Sequence, residues 1–188
     1  MKKKIGVSGG PGSFSQAAAD YYCLQNSITD YEIDFLISVE NVLQSLDDSR
    51  IDLGIFPIEN SNGGIVYEAV YAMSKHLFNI EKLFEIDIRH CLIANPGVSL
   101  ADITMIASHD QALKQCKMYL KRKWPDLAIK EWSDTADAVR AIKNGELPKT
   151  AAAIASRKAA EIYQMPILEE GIQDLKFNFT TFLAVTKK

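Results

Sequence analysis

Residues 51–77, IDLGIFPIENSNGGIVYEAVYAMSKHL, decide the fold. The apolar run 51–58 has the length of a buried strand, and residues 65–77 repeat apolar side chains at helical spacing. Between them Glu59, Asn60 and Ser61 set a carboxylate, an amide and a hydroxyl in succession. In an open α/β sheet, ligands bind in the crevice beyond the carboxyl ends of the strands. A polar triplet at a strand-to-helix turn is therefore a candidate piece of cleft floor.

Outward from this stretch the same alternation repeats. Toward the N-terminus, residues 4–9 read as a strand, GGPG as a turn and 15–25 as a helix, followed by strand 33–38 and helix 39–48. Toward the C-terminus, 82–95 looks extended. A second group follows: strand 103–108, helix 111–123, strand 128–133, helix 135–145, then strand and helix within 150–163. The strand 179–187 ends the chain. Alternation of this kind implies an α/β fold with largely parallel sheets. The long extended segment between the two groups implies two lobes, one of about 1–78 with 166–188 and the other of about 79–165, with a central cleft that closes by hinge motion.

Composition narrows the function. The 188 residues are 47% hydrophobic and 24% charged with a formal net charge of -3, and the basic residues form no stripe, so nucleic acid is not an expected partner. Neither a membrane span nor a secretory signal is read, which gives a cytoplasmic expectation. Cys23, Cys91 and Cys116 are widely spaced without a CxxC pair, so buried thiols are expected and no metal or other cofactor.

Four polar groupings fall at or near turns. In GGPGSFSQ, Gly12 permits close backbone approach, Ser13 or Ser15 can cap a helix, and the free N–H groups of a helix start attract anions. The second is PIENSNGG. In SHDQALKQC, Ser108 ends a strand, His109 is a candidate proton donor, and Gln115 lies two helical turns on, on the face of Ser108. The fourth, NFTTF, runs from Asn178 to Phe182. His90 reads as a hydrogen-bonded, half-buried histidine and His76 as a solvated helix residue.

Together these stretches resemble the prephenate dehydratase family over essentially the whole chain. GGPGSFSQAA is similar to its glycine-rich opening, PIENSNGGIV to its PxENS signature, and RHCLIA and SHDQALKQC to its histidine strand and Ser-His-Gln segment. GIQDLKFNFTTF resembles its closing Asn-x-Thr-Arg-Phe signature, with Thr181 where the family has arginine. The resemblance implies a periplasmic-binding-protein-like (type II) architecture and conversion of prephenate to phenylpyruvate, water and carbon dioxide. It implies Thr180 as donor to the leaving hydroxyl, with Glu59, Asn60, Ser108 and Gln115 catalytic and Gly12, Ser13, Ser15, Ser61, His109, Asn178 and Phe182 binding substrate. Glu59 would either orient the donor or hold a proton, and loss of Glu59 or Thr180 would leave a folded, inactive chain. Lys176 and Arg89 are candidate partners for the substrate's charge. The family's phenylalanine-binding ACT module is not read in the chain, so regulation would require a separate chain or a second site, and a homodimer or larger homo-oligomer is implied. The alternatives are a decarboxylase-like relative, an arogenate-using relative and a non-catalytic binder of small anions.

Overall fold

The computed structural model describes residues 2–188. In chain order it runs β1 (Lys3–Val7), α1 (Phe14–Gln25), β2 (Tyr31–Phe35), α2 (Val39–Asp47), β3 (Leu53–Asn60), β4 (Gly64–Ile65), α3 (Tyr67–Met73) and β5 (Phe78–Asp87). There follow β6 (Cys91–Ala94), a 3-10 turn at Leu100–Asp102, β7 (Met105–Ser108), α4 (Asp110–Gln115), α5 (Lys117–Lys123) and β8 (Ala128–Glu131). The chain closes with α6 (Thr135–Lys143), β9 (Ala151–Ala155), α7 (Arg157–Tyr163), β10 (Ile167–Glu170) and β11 (Phe179–Lys187).

Two compact units result: the chain up to Asp87 together with Asn178–Lys188, and Ile88–Phe177. The crossings at about 79 and 166 read from the sequence are corrected to these points. The reason is pairing: β5 follows β11 from Phe78 to Asp87, which ties 79–87 to the first sheet, whereas β10 pairs with β6 in the second.

The first sheet has the order β2-β1-β3-β11-β5, with β4 attached to β3. β1 is parallel to both β2 and β3, but β11 is antiparallel to β3 and β5, so the sheet is mixed rather than largely parallel. One face carries Ile5, Val7, Ile55, Phe182 and Ala184 under Ala18 and Ala19 of α1. The other carries Phe56, Leu183 and Val185 under Val42, Leu43 and Leu46 of α2 and Ala69 and Ala72 of α3. Helix α2 has its apolar residues on one side, and Ser38 caps it by accepting from the Asn41 N–H at 3.1 Å.

The second sheet, β10-β6-β9-β7-β8, is also mixed. Its central β9, AAAIA, is buried throughout and takes α6 and α7 on one face, α4 and α5 on the other. The helix read as continuous over 111–123 breaks at Cys116. There the Asp174 carboxylate, distant in sequence, accepts from the N–H groups of Met118 (2.7 Å) and Tyr119 (2.8 Å) and so starts α5 afresh. All three cysteines are free and buried, and burial raises the thiols of Cys23 and Cys91 to about 11. Among the described residues no helix is long and apolar enough to cross a membrane.

Candidate active site

In the first unit the opening triplet belongs to β3, which continues through Asn60. Register then fixes directions. Asn60 lies opposite Thr180, and Glu59 opposite Thr181. Thr180 also lies opposite Ile86, which packs in the core under α1, while Thr181 lies opposite Glu85 and donates to its carboxylate at 3.4 Å. Alternation therefore sends Asn60 and Thr180 to the α1 face and Glu59 and Thr181 to the opposite one. Glu59 is exposed, and the structure does not bring it to Thr180. The same register puts position 181, where the family has arginine, between two carboxylates and away from the Thr180 hydroxyl.

Asn60 anchors the cluster. Its Oδ1 accepts from the backbone N–H groups of Asn62 (3.0 Å) and Gly63 (2.7 Å), which fixes the orientation of the amide. Its Nδ2 then faces Asn178 Oδ1 at 2.9 Å, the Phe179 carbonyl at 3.1 Å and Thr180 Oγ1 at 2.9 Å, sharing its two hydrogens among the three acceptors. Asn178 is fully buried, and Thr180 is 8% exposed. Because Thr180 Oγ1 accepts from Asn60, its own hydrogen is directed elsewhere. Ser61 works on the backbone: its N–H donates to the Phe179 carbonyl at 2.8 Å and its Oγ accepts from the Phe179 N–H at 3.0 Å, extending the β3–β11 ladder by one side chain. Phe182 is a core residue, 1% exposed and stacked on Phe84 with centroids 5.9 Å apart.

The glycine turn leads into α1 at the same end of the sheet, because β1 and β3 run parallel and β11 returns antiparallel. Gly12 has φ 87, and a side chain on Gly9 would meet Ser13 Oγ at 2.6 Å, so the turn depends on both glycines. Ser13 caps α1 by accepting from the Gln16 N–H at 3.2 Å, Gln16 Oε1 accepts from the Gly12 N–H at 2.8 Å, and Ser15 Oγ donates to the Ser8 carbonyl at 2.7 Å. Ser13 and Ser15 thus hold the turn. The helix start they shape has no acidic residue in its first turn, leaving its positive end without a carboxylate of its own. Sequence reasoning passed over Ser8, whose buried Oγ has no hydrogen-bond partner at the end of β1; nothing in its surroundings in the sequence marks it.

Within the second unit, polar side chains also cluster. His90 is 3% exposed; its N–H donates to Gln173 Oε1 at 3.1 Å and its Nε2 lies 2.8 Å from Gln115 Oε1. An amide oxygen only accepts, so Nε2 carries the hydrogen. Burial lowers the His90 pKa, opposed by the Gln115 bond, and the ring is neutral at neutral pH. Ser108 is fully buried, and its Oγ donates to the Ile154 carbonyl at 2.6 Å, tying β7 to β9. His109 caps α4, with Nδ1 accepting from the Gln111 N–H at 3.2 Å. Lys176 and Arg89 are both exposed, and Lys176 donates to the Gly171 carbonyl at 3.4 Å.

The family model of prephenate dehydratase matches residues 5–188. The chain belongs to the prephenate dehydratase family. It is 34% identical over 188 residues to arogenate dehydratase/prephenate dehydratase 6, chloroplastic, of Arabidopsis thaliana, a match covering 98% of this chain and 43% of the relative. It is also 34% identical to the bifunctional chorismate mutase/prephenate dehydratase of Buchnera aphidicola, over 96% of this chain and 46% of that one. The chain thus spans less than half the length of these curated relatives. Among solved structures, the prephenate dehydratase of Arthrobacter aurescens in complex with L-Phe superposes with a TM-score of 0.89 at 26% identity, covering 98% of this chain and 60% of that one. A periplasmic substrate-binding protein of an ABC transporter from Coxiella burnetii, at 13% identity and TM-score 0.51 over 96% of this chain and 84% of that one, shares the fold.

His76 is the plainest departure from the sequence reading. It is not solvated: its side chain is 7% exposed, with Nδ1 2.6 Å from Asp47 and Nε2 3.4 Å from Glu40. The Asp47 hydrogen bond first, then that of Glu40, raises its pKa against the cost of burial.

Proposed function

We propose that this chain catalyses dehydration and decarboxylation of prephenate to phenylpyruvate, with Thr180 as donor to the departing hydroxyl. The observation that carries the reading is the hydrogen bond from Asn60 Nδ2 to Thr180 Oγ1. With the amide held by the Asn62 and Gly63 N–H groups, Asn60 can only donate to Thr180, and the threonine hydrogen is left to point at a ligand.

Loss of carbon dioxide from the ring carboxylate pushes an electron pair through the ring and expels the hydroxyl on the opposite carbon, and the ring becomes aromatic. Prephenate dianion and one proton give phenylpyruvate anion, carbon dioxide and water. Thr180 therefore relays a proton that solvent replaces each turnover, and its hydrogen bond strengthens as negative charge builds on the leaving oxygen. Only such a strengthening raises the rate. The start of α1, on the same face and at the same end of the sheet as Thr180, supplies N–H groups and a positive helix end for a carboxylate. Its attraction needs no arginine at 181.

The test is Thr180→Val, which keeps the shape and removes the hydroxyl, beside Thr180→Ser, which keeps the hydroxyl. Phenylpyruvate formation should fall about 100- to 10,000-fold in the first and recover in large part in the second. A folded Thr180→Val protein with unchanged turnover rules the mechanism out. Arogenate is a second reading, favoured by the arogenate names among the relatives, and running both substrates in the same assay distinguishes them.

A further inference from the structure

We propose that Asn62 is a site of spontaneous deamidation and that the side chain of Asn60 is its brake. The chain has two Asn-Gly steps, Asn62–Gly63 and Asn144–Gly145. A glycine after asparagine favours the reaction, because it has no Cβ to keep its backbone nitrogen away from the asparagine side chain. The Gly63 nitrogen gives its proton to solvent base and bonds to the carbonyl carbon of the Asn62 side chain. The bond from that carbon to Nδ2 breaks, and the side-chain nitrogen takes up a proton and leaves as ammonia. Water then opens the five-membered imide at either carbonyl, giving aspartate or isoaspartate. In sum an amide and water become a carboxylic acid and ammonia, with nothing oxidised or reduced.

The two steps differ in what holds the glycine N–H. That of Gly145 donates to the Ile142 carbonyl at 3.1 Å, and the next, of Glu146, to the Ala141 carbonyl at 2.9 Å. Asn144 has ψ -2, which turns the glycine nitrogen toward the residue's own nitrogen and away from its Cβ. Ring closure there requires the end of α6 to unwind. Residues 61–65 are exposed instead, and the Gly63 N–H is held by a side-chain oxygen, Asn60 Oδ1 at 2.7 Å, which also accepts from the Asn62 N–H at 3.0 Å. That bond keeps the proton on the nitrogen that would attack.

Modification acts back on the brake. The imide removes the Gly63 hydrogen, and isoaspartate displaces it by lengthening the backbone, so in both the Asn60 amide loses a donor that fixes it. The resulting loss of turnover rests on the function proposed above, whereas the modification itself does not.

Peptide mapping by mass spectrometry after incubation in mildly alkaline buffer tests this, with Asn60→Ala, which removes the acceptor, and Asn60→Asp, which keeps one. In the wild type, position 62 should convert ahead of 144. Asn60→Ala should speed conversion at 62 about 2- to 10-fold, the worth of one hydrogen bond, and leave 144 unchanged, while Asn60→Asp should be no faster than wild type. An intact position 62, a faster position 144 in the wild type, or an Asn60→Ala protein in which 62 is not selectively faster overturns the proposal. Turnover of the wild type should fall in step with the isoaspartyl fraction at 62, and Asn62→Ser should hold its starting turnover through the same incubation. Conversion at 62 with turnover undiminished would overturn the part given to Asn60 in the dehydration, and not the modification.

Discussion

Replacing Asn60 by Asp reverses one hydrogen bond, and the proposed chemistry depends on its direction. The carboxylate still accepts from the N–H groups of Asn62 and Gly63, so the turn after β3 keeps its ties. It no longer donates to Thr180 Oγ1, now 2.9 Å away. The threonine hydroxyl responds by donating to the carboxylate, in a bond strengthened by the charge. Its hydrogen is then engaged within the protein, and the leaving hydroxyl of the substrate loses its donor. Turnover should fall about 100- to 10,000-fold, the range that general acid help is worth.

The same substitution deprives the buried Asn178 Oδ1 of a donor, whereas the Phe179 carbonyl keeps the Ser61 N–H. A buried acceptor that loses a donor costs up to about 1–3 kcal/mol. At about 2–4 °C per kcal/mol for a chain of this size, the melting temperature drops by roughly 2–12 °C and the protein stays folded at assay temperature. Initial rates of phenylpyruvate formation, a thermal melt and the double variant with Thr180→Val complete the experiment. Since both changes remove the same donor, the double variant should be scarcely slower than the worse single one. A folded Asn60→Asp protein within about threefold of wild-type turnover refutes the reasoning, because the threonine hydrogen would then not be the one that matters.

Three further outcomes follow from the geometry. Glu59→Ala, on the face away from Thr180, should leave turnover near wild type and shift stability by no more than about 0.5 kcal/mol; a large loss of rate would mean that Glu59 reaches the substrate after all. His76 has its pKa raised in the folded chain, so its contribution is fully present below its ordinary value of 6.5 and is lost as pH rises through the folded value; denaturant melts of His76→Asn should show a larger loss near pH 6 than near pH 9, and an equal loss at both would remove the charge from the account. Ile37, exposed with φ 69 between β2 and α2, holds a backbone conformation that costs a branched residue about 1–2 kcal/mol; Ile37→Gly should raise the unfolding free energy by up to about 1 kcal/mol, read as a higher denaturant midpoint, and a lowered midpoint would mean the isoleucine side chain packs usefully there.

What could be read in the sequence divides along physical lines. β11 runs from Phe179 to Lys187, where the sequence reading put a strand, because its Thr, Phe, Leu and Val residues suit one. β4 and β10 were missed: one is two residues long, and the other, ILEE, ends in two charges. The break at Cys116 depends on Asp174, 55 and 56 residues from the groups it caps, which no local signal carries. His76 was misplaced for the same reason, since its partners Asp47 and Glu40 belong to α2.

The site itself turns on where β3 ends. Stopping the strand at Ile58 makes Glu59, Asn60 and Ser61 a turn whose side chains can all gather at one ligand. β3 instead continues through Asn60, and in a strand consecutive side chains point to opposite faces. Glu59 and Asn60 then cannot share a pocket, however suggestive their adjacency. Ser13, Ser15, Ser61 and Ser108 make the complementary point, because each hydroxyl is engaged with a backbone group within its own unit. A backbone group left unpaired on burial costs as much as a lost hydrogen bond, so short polar side chains at strand ends serve the main chain before any ligand. Thr180 differs in one respect that only the fold could reveal. Its oxygen accepts from the Asn60 amide, a side chain from a distant part of the chain, and not from a backbone group. Ser15 and Ser108 spend their hydrogens on backbone carbonyls and Ser13 and Ser61 accept from backbone N–H groups, so among the hydroxyls singled out from the sequence Thr180 is the one held by a side chain.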